Sequence, residues 1–499
     1  MSTIYPFLQA VPEELGISSR DIVAFLKDVE KKKINLHGFM IVRHGKVAAE
    51  GYWKPFHENY MHRMYSTSKT FTSTGIGLLV GEGKISLDDK ASDYFKDYLP
   101  ENPHPYIENA TIRNLLMMAT PYEGGVTSFS DENWVLRFFN NEIQPTHPGG
   151  SIWHYDTSGT HVLGAIVEKV SGMKLMDFLY DRVLKDMGSD DDLWCVKAPE
   201  GYSWGGSGVI AEQRDLARLA YLWLNKGKFN GKQYIPEEYI VDGSSNLIDN
   251  CLLGLHCLNH HNGYGYQVWQ EPHNAFSFWG LGTQYAVCFR EKDLMFVCTG
   301  NTLQMPMDEE RIYDTFIEHI WENLSDEALP ADVDGNAAMK EMIDNLEILV
   351  PHGEKSSEWQ EKINGVTYKM GPNRMGVKEI RFHFHPDGEN GCMIYTNEQG
   401  TKQINFGMSR YVEGRFPQWG YAYDVIHKPS THLMRCLASA GWVEPNKLML
   451  TCWIEDVQCG LFTMKAAFVD DGKTLGTMWT KIGEDSLHEY WGNGSGIAQ

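Results

Sequence analysis

The hydrophobic pattern of this chain changes character near residue 355, and that change limits the fold more than any other feature. Up to about residue 325, helical and strand patterns are mixed. Ser18 to Lys33 reads as a helix: Ser18-Ser19 is an N-cap signal, and Ile22, Phe25, Leu26 and Val29 recur at helical spacing. Residues 38–42 read as a buried strand, 43–46 as a hairpin turn and 47–53 as the returning strand. Later strands are expected at 276–278, 285–289 and 294–299, and helices at 68–80, 159–170, 175–183 and 212–224. Early strands, a helical middle and late strands imply a sheet whose edges come from both ends of this region. Residues 331–356 are a polar linker with one expected helix, 337–348. From Trp359 onward short alternating strands follow one another, at 366–370, 380–385, 392–395, 403–406, 448–454, 461–468 and 474–479. The expected organisation is an α/β (α+β) domain over 1–330, the linker, and an all-β barrel or sandwich over 357–499.

Composition excludes several classes of partner. With 44 Lys and Arg against 66 Asp and Glu, the formal net charge is −22. Nucleic acid and anionic membrane surfaces both need clustered basic residues, so neither is an expected partner. No apolar run is long enough to suggest a membrane-spanning helix. The first residues, Met1 to Pro6, show neither the basic nor the apolar stretch of a signal peptide. The nine cysteines (Cys195, Cys251, Cys257, Cys288, Cys298, Cys392, Cys436, Cys452 and Cys459) are odd in number and contain no Cys-x-x-Cys. They read as reduced, mostly buried thiols, and the expected location is cytoplasmic.

The candidate chemistry begins at Ser66-Thr-Ser-Lys69, just before an apolar helix that ends at Gly81 and Gly83. A spacing of three places both side chains on one helix face. The helix N-terminus favours a developing anion, and a desolvated lysine can accept a proton from serine. An N-cap serine followed by a solvated lysine has the same spacing. Ser171-Gly-Met-Lys174 repeats it at what reads as a helix end. Gly201-Tyr-Ser203-Trp-Gly205 matches a nucleophile elbow, but the strand before and the helix after are missing, so Ser203 is expected in a loop. His383 and His385 share a strand face opposite Ile380, Phe382 and Phe384 and read as solvated. His154 and the pair His260-His261 have no metal-ligand spacing.

Five ordered blocks carry a resemblance. Ser66 to Lys69 with Gly75 to Asp89 resembles the first motif block of class C β-lactamases and their esterase and peptidase relatives. Ala110 to Thr120, Pro148 to Gly172, Gly205 to Ile210 with Asp215 to Arg218, and Phe278 to Gln284 with Asp293 to Asn301 are similar to later blocks. The resemblance implies a β-lactamase/transpeptidase-like antiparallel sheet with flanking helices and a helical lobe, and a lipocalin-like C-terminal domain. It implies Ser66 as nucleophile, Lys69 and Tyr155 as proton-transfer partners, and the backbone N–H groups of Ser66 and Leu281 as the oxyanion hole. Thr157, Phe278, Trp279 and Gly280 are the expected substrate-binding positions; no metal and no organic cofactor is expected.

Two positions depart from the family pattern. Thr157 stands where asparagine is usual, and lacks the amide's paired donors and carbonyl. Phe278-Trp279-Gly280 replaces Lys-Thr-Gly or His-x-Gly, so no cation or hydroxyl is there to meet a substrate carboxylate. The expected activity is hydrolysis of a small ester or amide, D-amino-acid peptides included, through an acyl-Ser66 intermediate. A weak β-lactamase, an acyltransferase, and a catalytically silent binding or scaffold protein remain alternatives, and a homo-oligomer is left open. Trp153, Trp269, Phe278 and Trp279 suggest an apolar or aromatic acyl group. The β domain is expected to shape access or oligomer contacts and to contribute no catalytic side chain.

Overall fold

Why the first helix starts where it does is visible in one bond. Ser18 accepts from the Asp21 amide, and α1 (Ser19–Lys31) then buries Ile22, Phe25, Leu26 and Val29 along one stripe. A computed structural model describes residues 7–250, 262–303, 308–350, 353–483 and 486–499. Residues through Glu347 together with Asp424–Lys428 form one unit; Ile348–Tyr423 and Pro429–Gln499 form the second.

The first unit is built on a seven-stranded sheet. Its strands are β1 (Leu8–Gln9), β2 (Leu36–Arg43), β3 (Lys46–Tyr52), β4 (Trp269–Glu271), β5 (Ala275–Gly280), β6 (Gln284–Phe289) and β7 (Leu294–Gly300). The order is β1-β3-β2-β7-β6-β5-β4, so one edge comes from the start of the chain and the other from late in the unit. Only β1 pairs parallel, with β3; the other pairings are antiparallel. On one face Phe25 of α1 meets Phe39 and Phe296. On the other, α4 (Gln213–Leu224) sets Trp223 edge-on against Phe278, with ring centroids 5.7 Å apart.

Two further helices carry the site. In α2 (Ser68–Gly81) nearly every side chain is buried, so it is a central helix and not an amphipathic surface one. In α3 (Thr157–Ser171), Asp156 is the N-cap and Gly172, at φ 71°, ends the helix in the left-handed conformation. The two pack closely: a Cβ at Gly75 of α2 would lie 3.2 Å from Val167 of α3. The expected helix over 175–183 is an α-helical Leu175–Leu179 continued by a π turn, Tyr180–Leu184. The helix expected over 337–348 lies earlier, as α5 (Val333–Asp344), because Asp332 accepts from the Gly335 amide and sets the start.

In the second unit the strands are β8 (Thr367–Met370), β9 (Glu379–Phe384), β10 (Asn390–Asn397), β11 (Gly400–Met408), β12 (Val412–Arg415), β13 (Arg435–Glu444), β14 (Lys447–Glu455), β15 (Cys459–Val469), β16 (Thr474–Gly483) and β17 (Gly492–Ala498). They run antiparallel in the order β11-β10-β9-β8-β17-β16-β15-β14-β13-β12. Parallel pairing of Gly407–Met408 with Ser439–Ala440 joins β11 to β13 and closes a nine-stranded barrel, with β12 alongside. Closure removes the free edges. Phe382, Phe406, Trp442, Phe468, Trp479 and Tyr490 fill the interior. His383 and His385 face away from buried Ile380, Phe382 and Phe384, and belong to no group of metal-ligand side chains among the described residues. Seven cysteines are free and buried; Cys251 and Cys257, like His260 and His261, lie outside the described residues. Among the described residues no helix is long and apolar enough to cross a membrane.

Candidate active site

Ser66 sits in a single 3₁₀ turn, Tyr65–Thr67, that runs directly into α2. Tyr65 holds a left-handed φ of 45°, an unfavourable conformation for an aromatic residue. The turn is pinned from two sides. Thr67 Oγ1 donates to the Gln284 carbonyl of β6 at 2.9 Å, and the Met64 amide donates to the Val209 carbonyl at 2.8 Å. Ser66 is partly exposed, whereas Tyr65, Thr67 and Ser68 are buried.

Lys69 is 2 % exposed, and its Nζ donates to Ser66 Oγ at 3.1 Å and to the Gly206 carbonyl at 2.6 Å. Burial holds its pKa at about 7, against an ordinary 10.5. The Asp156 carboxylate opposes that shift and the Arg63 guanidinium adds to it. The amine is therefore poised to gain or lose a proton near neutrality.

Tyr155 lies just before α3 and brings a third group. Lys69 Nζ stands 4.9 Å from the centre of its ring. The phenol oxygen is buried and makes no hydrogen bond of ordinary geometry, although the Ser66 hydroxyl is near enough to favour its anion. Burial outweighs that effect and raises its pKa. Asp156 sets the position of this segment: it accepts from Thr120 Oγ1 at 2.7 Å and from the Ser158 amide at 2.7 Å. Gln267, itself at φ 63°, ties the two helices. Its carbonyl accepts from Thr70 of α2 at 3.0 Å and its Oε1 accepts from Thr160 of α3 at 2.7 Å.

Strand β5 passes against the Ser66 turn. A Cβ at Gly280 would lie 2.3 Å from the Met64 carbonyl oxygen and 2.9 Å from Thr67 Oγ1, so only glycine fits. Gly280→Ala is expected to keep its secondary structure and to label with a fluorophosphonate at least ~10-fold more slowly, because the strand or the turn must move. An unchanged labelling rate in that variant would contradict this. Beyond Gly280 the turn at 281–283 leaves Leu281 exposed, with Gly282 at φ 78°.

The side chains of β5 divide between two faces. Trp279 is edge-on to Trp269 at 6.1 Å; Trp269 stacks on Tyr155 at 5.6 Å and meets Trp153 at 5.8 Å. These rings form one aromatic wall with Met118 and Tyr264. Phe278 does not join it. It is 1 % exposed and packs against Trp223 on the opposite face, so its expected place among substrate-facing side chains is corrected. Alternation along a strand forces this: neighbours cannot share a face. Thr157 begins α3 beside the Gly205–Gly206 turn, where a Cβ on Gly206 would lie 2.6 Å from Thr157 Cγ2.

The rival serines are elsewhere. Ser203 is 3 % exposed in a loop, and its amide donates to Glu168. Ser171 ends α3, while Lys174 bonds Glu168 at 2.7 Å and the Gly201 carbonyl at 2.8 Å. Arg63, Asp156 and the Gly206 carbonyl also belong to the site, and sequence reasoning does not single them out. Asp156 is detectable as an acidic N-cap, whereas Arg63 has no local signature.

A family model described as Beta-lactamase matches residues 26–317, a span that contains every residue of this site. The chain belongs to the Beta-lactamase family. Among its relatives, the 6-aminohexanoate-dimer hydrolase of Paenarthrobacter ureafaciens is 23 % identical over 252 residues, covering 46 % of this chain and 63 % of that protein. The chain thus spans less than two thirds of the length of this relative. Solved structures that resemble this Beta-lactamase family member include the octameric penicillin-binding protein homologue from Pyrococcus abyssi. It is 14 % identical, covers 95 % of this chain and 99 % of its own, and has a TM-score of 0.46. A family VIII carboxylesterase is 14 % identical over 64 % of this chain and 100 % of its own, with a TM-score of 0.48.

Proposed function

We propose that this protein is a serine hydrolase that cleaves small, neutral esters or amides through an acyl-Ser66 intermediate. The observation that carries the reading is the contact of Ser66 Oγ with a buried lysine amine whose pKa lies at about 7. In the proposed reaction, Ser66 Oγ bonds to the substrate carbonyl carbon while its proton passes to neutral Lys69. The backbone N–H groups of Ser66 and Leu281 hold the oxyanion. Tyr155, whose hydroxyl has no competing partner, relays the proton to the leaving oxygen or nitrogen as that bond breaks. Water then attacks the acyl group by the same route, and Ser66 regains its proton. Family membership and the relative named as a hydrolase support hydrolysis as the outcome.

Neutral substrates are favoured because β5, Ala275–Gly280, carries no cation. Trp279, partly exposed and edge-on to buried Trp269, favours an apolar or aromatic group. p-Nitrophenyl butyrate is therefore expected to show a kcat/KM at least ~10-fold above that of nitrocefin, whose carboxylate would have no charge-assisted partner there. Steady-state kinetics on both substrates checks this. Faster nitrocefin turnover would favour a β-lactamase, and acyl transfer to added alcohol in preference to water would favour an acyltransferase. No labelling and no turnover at all would leave a silent binding protein.

A further inference from the structure

We propose that a second cavity of the first unit, at the end of β5 opposite Gly280, binds a small organic monocarboxylate with an apolar, aromatic-sized body, held by Arg290 and Gln270. The cavity measures about 530 Å³, within the range of small-molecule sites. It opens beside Ala275 and Phe276. At about 3.3 Å per strand residue, Ala275 lies roughly 16 Å along β5 from Gly280, so this is not the Ser66 cleft. The site is independent of the reading of Ser66.

Its walls and its polar groups are of different kinds. Trp223, Ile240 and Phe276 are buried apolar surfaces. Over the Phe276 ring, at 4.7 Å, stands the Arg290 guanidinium. It donates to the Asn274 carbonyl at 2.8 Å, to Asn274 Oδ1 at 3.4 Å and to the Ser244 carbonyl, and makes no ion pair among the described residues. That is unusual in a chain with 66 acidic residues against 44 basic ones. Burial lowers its pKa, yet a guanidinium stays charged, and its fork has donors left after these acceptors. Gln270 is 7 % exposed, lines the same cavity, and its Nε2 is buried with no hydrogen-bond partner. A buried unsatisfied donor is costly, so a ligand oxygen at this position relieves it.

Lys226 and Glu271 are the other charged residues of the lining. Lys226 pairs with Glu237 at 3.0 Å. Glu271 also lines the cavity; its side chain alternates with Gln270 across the strand, and its Oε1 accepts from Ser277 at 2.6 Å and Tyr285 at 3.2 Å. Among the described residues of the lining, one cation without an ion pair and one amide donor, set over the largely buried apolar side chains of Trp223, Ile240 and Phe276, match a single carboxylate on an apolar body. A phosphate dianion would find one cation and apolar walls.

The test uses the full chain and 4-fluorophenylacetate, followed by fluorine NMR. Saturable binding at millimolar concentration is expected, with 2-(4-fluorophenyl)ethanol and inorganic phosphate each at least ~10-fold weaker, because the charge-assisted hydrogen bond or the apolar contact is lost. Ser245 lines the cavity, so Arg290→Gln and the cavity-filling Ser245→Trp should each weaken 4-fluorophenylacetate at least ~10-fold, and Gln270→Leu by a few fold. If Arg290→Gln does not fold, Ser245→Trp and Gln270→Leu decide. Absence of saturable binding overturns the proposal. So does unchanged affinity in the folded variants, which would place the carboxylate elsewhere, the Ser66 cleft included.

Discussion

Ser66→Ala is expected to abolish fluorophosphonate labelling and to lower turnover of p-nitrophenyl butyrate by about 10⁴-fold or more, the scale of loss for a nucleophilic serine. The loss should not come from unfolding. Ser66 is partly exposed in the middle of its turn, and the bonds that hold that turn belong to Met64, Thr67 and Ser68. Alanine removes the acceptor of the Lys69 contact but leaves the Lys69 bond to the Gly206 carbonyl. Ser203→Ala and Ser171→Ala serve as controls and should label at the wild-type rate. Peptide mapping of the labelled protein, with thermal unfolding of all three variants, checks this. Substantial turnover in Ser66→Ala would remove the proposed nucleophile altogether.

The second large effect concerns the proton path. Lys69→Ala and Tyr155→Phe are each expected to lower kcat/KM by about 10²–10⁴-fold, the usual range for a lost general acid or base. Both groups serve one path, so the double variant should lose far less than the product of the single losses. The pH profile distinguishes proton transfer from packing. Lys69 must be neutral to accept the serine proton, so kcat/KM should rise with pH and level off above about 7, where burial holds the Lys69 pKa. That arm should vanish from the residual activity of Lys69→Ala.

Stability carries the same signature with a definite sign. The Lys69 pKa is about 7 in the folded chain against 10.5 ordinarily. Between these values the unfolded chain binds more protons than the folded one, so the destabilisation due to Lys69 is full below pH 7 and is relieved as pH rises toward 10.5. Lys69→Met should accordingly gain most in melting temperature over wild type near pH 6, and the gain should shrink by pH 10. A pH-independent difference would mean that the amine is not desolvated.

Elements whose signals are local are legible in the sequence. The Ser18 cap and the stripe from Ile22 to Val29 specify α1, and the apolar strand before His44-Gly45 specifies the hairpin β2–β3, because each pattern depends only on neighbours along the chain. Strands β13 and β17 carry no such signal. Arg435 to Glu444 contains Ala-Ser-Ala-Gly, and Gly492 to Gly496 alternates glycine with Asn493 and Ser495. Both are strands because their neighbours supply hydrogen bonds on either side and barrel closure leaves them no alternative partner.

The site divides along the same line. The sequence by itself determined the Ser66–Lys69 pairing, since three residues of helix bring the two side chains to one face, and the ordered blocks pointed to Tyr155 from far along the chain. Only the tertiary structure decided that Lys69 is enclosed, that Asp156 and Arg63 act on it in opposite directions, and that Gly280 is glycine because the Met64 carbonyl occupies the space of a side chain. It also decided that Trp279 faces the aromatic wall and Phe278 the core. Strand alternation says that two neighbours differ in face, but which face meets the cleft depends on the helices packed against the sheet. Desolvation and convergence are properties of segments distant in sequence, and no local pattern encodes them.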